Sequence, residues 1–155
     1  MSGKTRRLKT IIAIYIATLL SACAVPTGSD IFSQTPDKDY SDMYLRGIFN
    51  WWEAREDYKL NKVDGENDLY QVDIELIADG QPYDFKLADA QWSPAYNCGL
   101  PSLDEALELE QDIELYCFSD SLNLQFIPNE TGVYRFALDT SNNQYPELRI
   151  TLVES

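Results

Sequence analysis

No histidine occurs among the 155 residues. Its absence removes the Ser/His/Asp triad, the Cys/His pair and most zinc chemistry in one step. A run long enough to favour a membrane-spanning helix is lacking as well. The apolar stretch near the N-terminus, residues 11–20, would rise only about 15 Å as a helix, half of a roughly 30 Å hydrocarbon core. Basic residues are scarce beyond position 22. Twelve lysines and arginines occur in all and four fall within residues 1–22, leaving eight against 26 acids, a formal charge of −18. Such a surface repels nucleic acid and anionic headgroups, so no nucleic-acid partner is expected, while neutral polymers such as glycans remain compatible with it. The acids are scattered, with no pair marked out as a glycosidase's would be. No nucleophile, metal-ligand set or cofactor motif stands out, and the expected class is non-catalytic.

What is present begins with Lys4, Arg6, Arg7 and Lys9, then the apolar stretch, then Leu20-Ser21-Ala22-Cys23. This arrangement resembles a bacterial lipoprotein signal, in which the cysteine becomes the lipidated first residue of the mature chain. The resemblance implies a signal peptide over 1–22, removed on maturation, and lipidation of Cys23. The alternative is an ordinary secretory signal cut near Ala22, with Cys23 left free. An aspartate after the cysteine tends to hold such proteins at the inner membrane; Ala24 stands there instead, which implies the outer membrane. A diacylglycerol plus an amide-linked chain exceeds the two-signal threshold for stable attachment to a bilayer. Residues 23–42, with Pro26, Gly28, Pro36, Asp37 and Asp39, read as a flexible tether spanning roughly 25 Å.

With Cys23 assigned to the anchor, Cys98 and Cys117 remain as a pair outside the cytosol, where a disulfide persists. The bridge would close an acidic insertion of about 19 residues and contribute roughly 3 kcal/mol in the chain-entropy description. Two free thiols are the alternative. The domain itself, 43–155, reads as short alternating segments. Val72, Ile74 and Leu76 face one way and Gln71, Asp73 and Glu75 the other. Tyr83, Phe85 and Leu87 are expected inward, which puts Lys86 on the wet face. Further strands are expected over residues 43–49, 122–126, 133–138 and 148–152, separated by turns at Asp64-Gly65, Asp79-Gly80, Thr131-Gly132 and Ser141-Asn142-Asn143. Period-two alternation predicts antiparallel strands with one buried face, and the spacing favours a β-sandwich over a barrel. A helical turn over 103–110 is weighed against loop, and the insertion is expected to have little core of its own.

Two segments carry more than fold. Tyr44-Leu-Arg-Gly-Ile-Phe-Asn-Trp-Trp52 is followed by Phe85-Lys-Leu-Ala-Asp-Ala-Gln-Trp-Ser93. Together they resemble the glycogen- and starch-binding modules of immunoglobulin-like, early-set type that accompany pullulanases, branching enzymes and α-amylases and occur in the AMP-activated kinase β subunit. Gly47, Phe49, Asn50 and Trp52 match the first half of that pattern; Phe85, Lys86 and Trp92 match the second. The resemblance implies an immunoglobulin-like antiparallel β-sandwich that binds α-glucan or a related polysaccharide. Trp52 and Trp92 would stack on the apolar faces of pyranose rings, Lys86 would donate to sugar hydroxyls, and Asn50 would be a turn residue or a polar contact. Trp51 stands where a small polar residue is usual, so either indole of the pair is a candidate platform. The asparagine that these modules carry in a late loop has no clear match beyond Asn97 and Asn123, and the Cys98–Cys117 insertion is foreign to the minimal module. The competing expectation is a non-catalytic structural module that presents the same sandwich to another envelope protein. Trp52 and Trp92 exposed on one side would favour the glycan; both buried would favour the protein partner.

Overall fold

The computed structural model describes residues 38–103 and 107–155. The signal peptide, Cys23 and residues 23–37 of the expected tether lie outside the described residues, as do residues 104–106 within the expected helical turn. The described residues form ten β-strands and no α-helix: β1 (Tyr44–Gly47), β2 (Asn61–Lys62), β3 (Leu69–Leu76), β4 (Tyr83–Ala88), β5 (Cys98–Gly99), β6 (Asp112–Glu114), β7 (Tyr116–Cys117), β8 (Leu124–Phe126), β9 (Gly132–Asp139) and β10 (Glu147–Glu154). One sheet runs β1-β4-β5-β7, with β8 also on β4; the other runs β2-β3-β9-β10-β6. All pairings are antiparallel. The result is the expected immunoglobulin-like β-sandwich.

The two inner faces follow from the alternation. Leu45, Phe85, Leu87, Leu124 and Phe126 of the first sheet meet Val72, Ile74, Leu76, Tyr134, Phe136, Leu138 and Ile150 of the second, all buried. Edge-on aromatic contacts, Phe85 to Phe136 at 5.3 Å and Phe126 to Tyr134 at 5.5 Å, lock the layers, a geometry that the ring quadrupole favours. On the outer face of the second sheet, Arg135 bonds Asp73 through two nitrogens, at 2.8 and 2.7 Å, between directly opposed residues of β9 and β3. Exposed pairs of this kind add little energy, but their fork geometry matches one register.

The structure refines three expectations. The packed domain starts before residue 43: Tyr40 is 1% exposed, belongs to the core and donates its hydroxyl to the Asn143 carbonyl at 2.9 Å. The first strand stops at Gly47, where a Cβ would lie 2.6 Å from the Asp84 carbonyl oxygen and 2.8 Å from Phe85 Cβ. Only glycine lets β1 approach β4 so closely. And the insertion, without a core of its own, packs into that of the sandwich. It leaves the first sheet at β5, adds β6 to the edge of the second against β10, and returns to the first at β7. Ile113 and Leu115 are buried along the way, and Arg149 of β10 bonds Asp112 of β6 through two nitrogens. The bridge between Cys98 and Cys117 is formed, between residues directly opposed on β5 and β7.

The Tyr40 phenol makes stability sensitive to alkali. Burial, with Tyr96 adding repulsion, pushes its pKa from 10.0 up to about 12. Between those values the unfolded chain has released a proton that the folded chain keeps, so this contribution is complete below pH 10 and is lost as pH rises towards 12. Tyr40→Phe is expected to lower stability at pH 8 by about 1 kcal/mol, the value of one hydrogen bond. It should also flatten the fall between pH 10 and 12, as measured by urea unfolding at a series of pH values.

Candidate functional site

The site is built on the loops that leave β1 and β4. After Gly47 the chain enters a single 3-10 turn, Ile48–Asn50. Asn50 holds that turn shut: its Oδ1 accepts from the Gly47 N–H at 2.9 Å and its Nδ2 donates to the Leu45 carbonyl at 2.9 Å. With 0% of its surface exposed, Asn50 is a turn residue and no polar contact for a ligand. Trp52 N–H then closes on the Gly47 carbonyl at 2.9 Å. The backbone is left-handed at Trp51 (φ 57°), Trp52 (φ 62°) and, in the second loop, Trp92 (φ 57°). Bulky side chains avoid this region, and each such residue costs roughly 1 kcal/mol or more. All three tryptophans of the chain sit there, held by their surroundings.

Arg46 does the holding. Its Nε and Nη2 donate to the Trp52 carbonyl at 2.8 and 2.6 Å, and Nη1 donates to the carbonyls of Asp89 at 2.7 Å and Ala90 at 3.3 Å. Its guanidinium carbon lies 3.8 Å above the centre of the Trp92 ring, a cation–π contact strengthened by exclusion of water. One buried cation thus ties both loops together and seats one of the indoles. Burial pushes its pKa below the ordinary value, with Asp89 pulling it back up; a guanidinium stays charged throughout. Nothing in the sequence motif pointed to Arg46. The signal was its place at an outward position of β1, opposite a second cation, Lys86, on β4.

Like charges directly opposed on a sheet repel, so each of these two needs its own acceptors. Lys86 finds them inside the protein. Its Nζ donates to Asn97 Oδ1 at 3.1 Å, to Ser121 Oγ at 2.9 Å and to the Ser121 carbonyl. An ammonium has three protons, and all three are engaged. At 7% exposure Lys86 is not on a wet face: the segment entering β8 covers it. Burial lowers its pKa, opposed by Asp120. The expectation that Lys86 donates to sugar hydroxyls is therefore replaced by an internal role. Because lysine can only donate, the atom it meets on Asn97 must be the amide oxygen. That fixes the Asn97 amide and leaves Nδ2 without an acceptor among the described residues. No buried side-chain polar atom among the described residues lacks a partner, so the Nδ2 hydrogens reach solvent.

Trp52, Lys86, Trp92, Asn97, Ser119 and Asn123 line a groove of about 520 Å³. The two indoles have centroids 6.3 Å apart and planes inclined at 41°. Trp52 is half-buried and Trp92 is 36% exposed, so both rings keep accessible surface while Arg46 seats one face of Trp92. Trp51, 80% exposed, is outside this lining. The groove thus brings together Trp52, Trp92 and Lys86 of the expected residues and leaves out Asn50 and Trp51. Both candidate late-loop asparagines, Asn97 and Asn123, contribute to it. Ser119 is an addition without a sequence signal, since it arrives from the far side of the stapled insertion. Apolar ring faces flanked by amide donors, with no carboxylate among the described lining residues, can stack and hydrogen-bond a neutral polyhydroxylated ligand.

Arg46→Met keeps bulk but removes every bond to the three carbonyls. It is expected to lower stability by about 2 kcal/mol or more, the cost of leaving such groups unpaired. Amide hydrogen exchange should accelerate around Trp52 and Trp92 while the β9 amides stay protected; uniform acceleration would refute a role confined to the two loops.

No protein-family model matches the chain, and no curated protein matches it. A solved structure described as the ligand-induced structure of AmyP-SBD, a starch-binding domain, matches with a TM-score of 0.52 over 71% of this chain and 70% of that one, at 16% identity. At that identity the likeness is one of fold: two antiparallel sheets packed as in that domain.

Proposed function

We propose that this chain is a non-catalytic carbohydrate-binding module, anchored to the outer membrane through Cys23, whose Trp52–Trp92 groove takes an α-glucan or a related neutral glycan. The observation that carries this reading is the juxtaposition of two accessible, inclined indoles with the unshared amide donor of Asn97 in one groove. A pyranose offers an apolar C–H face to an indole and hydroxyls at its rim, and the inclination of the rings suits a curved chain better than a flat one. The likeness to AmyP-SBD supports a starch-type ligand. The basic N-terminus and the Leu20-Ser21-Ala22-Cys23 run support the anchor. A second reading, docking of another envelope protein, is favoured by Ile48 and Trp51, 46% and 80% exposed on the same short turn.

In native gels containing glycogen or amylopectin the protein is expected to be retarded, and Trp52→Ala or Trp92→Ala to lower affinity about tenfold or more, roughly 1.4 kcal/mol. Unchanged mobility of the folded protein would reject the glycan; whole-cell crosslinking through Trp51 to one specific protein would then favour the second reading. For the anchor, labelled palmitate should be incorporated into the unaltered chain and not into Cys23→Ser, which should leave the membrane fraction. Incorporation into the Cys23→Ser chain would overturn the assignment.

A further inference from the structure

The outer face of the first sheet carries a row of residues that crosses all four strands of its main path. Arg46 of β1 is opposite Lys86 of β4. Leu87 is opposite Cys98, and Cys98 opposite Cys117, all three facing the core. Their neighbours Lys86, Gly99 and Tyr116 therefore project the other way, onto the face that holds the groove. The spacing agrees: a Cβ on Gly99 would lie 3.4 Å from Lys86 Cε. Three strand intervals of about 4.8 Å place Tyr116 roughly 14 Å from β1 on this face.

Tyr116 does not end the row as an isolated ring. It stacks on Phe118 with centroids 4.3 Å apart and planes 28° from parallel. Phe118 is 42% exposed, and the next residue, Ser119, already lines the groove. A Cβ on Gly99 would fall 1.9 Å from the Leu122 carbonyl oxygen, so the backbone leading from Ser119 into β8 lies directly against the strand between the two aromatic pairs. Cys117, the residue between Tyr116 and Phe118, is bonded to Cys98, which pins the backbone of both rings to the sheet.

We infer that the Tyr116–Phe118 stack is a second sugar-stacking subsite, continuous through Ser119 with the Trp52–Trp92 groove, so that the face engages an extended oligosaccharide chain at two places. This rests on the glycan reading above. A chain held at both platforms gains from the second contact as an intramolecular event; a ligand too short to reach both does not.

The test is calorimetric titration of the full chain in detergent with maltose and with maltoheptaose. Phe118→Ala is expected to weaken maltoheptaose about tenfold and to change maltose less than twofold. Phe118→Tyr, which keeps a stacking ring, should retain the maltoheptaose affinity. Equal loss for both sugars, or loss in Phe118→Tyr with a lowered melting temperature, would assign Phe118 a structural role in the groove wall and overturn the second subsite. Unchanged maltoheptaose affinity in Phe118→Ala, with loss in Trp92→Ala, would overturn it too and leave the glycan reading standing. Binding of neither sugar by the unaltered chain would remove both.

Discussion

A buried guanidinium without a carboxylate partner would ordinarily be a liability in a small sandwich. At Arg46 the requirement is met by carbonyls of two separate loops and by the face of an indole. The charge cannot be satisfied unless the turn after β1 and the turn after β4 both come to it, and those turns carry Trp52 and Trp92. The tilt and separation of the two rings therefore follow from the coordination demands of one cation. The left-handed backbone at the tryptophans becomes intelligible as well, since strain persists where the surroundings over-determine it.

The second constraint is the path of the segment between the cysteines. By leaving one sheet, pairing with the edge of the other and returning, it covers an edge of the second sheet that would otherwise be open. It also delivers Ser119 and Ser121 to the groove side of the first sheet. Lys86 is thereby covered, with one proton orienting Asn97 and two held by Ser121. A lysine that resembles a ligand-binding residue by motif has become a positioning residue by context.

Much of the sandwich was legible because its strands have one wet face: Val72, Ile74 and Leu76 alternate with polar neighbours and are buried as their period demands. The same reasoning fails at Lys86, where the outer face of β4 is covered too, by a segment more than thirty residues downstream; alternation reports which side a residue takes and not what lies on that side. β6 escaped detection because three residues, two of them acidic, leave a single inward Ile113 as signal. The choice between Trp51 and Trp52 depended on two successive left-handed residues, which no residue preference would assign to tryptophan. Arg46 was readable as an outward polar residue, but its acceptors come from loops whose conformations are themselves set by it.

Confinement of all three indoles to those two loops has a spectroscopic consequence. The interior between the sheets is built from tyrosine, phenylalanine, aliphatic and sulfur-containing residues, so the tryptophan fluorescence of this protein reports from the loops outside it. An emission change in mild denaturant records the loops parting from the guanidinium, and it can precede the loss of β-sheet dichroism. Two optical probes of one chain would then trace two different events.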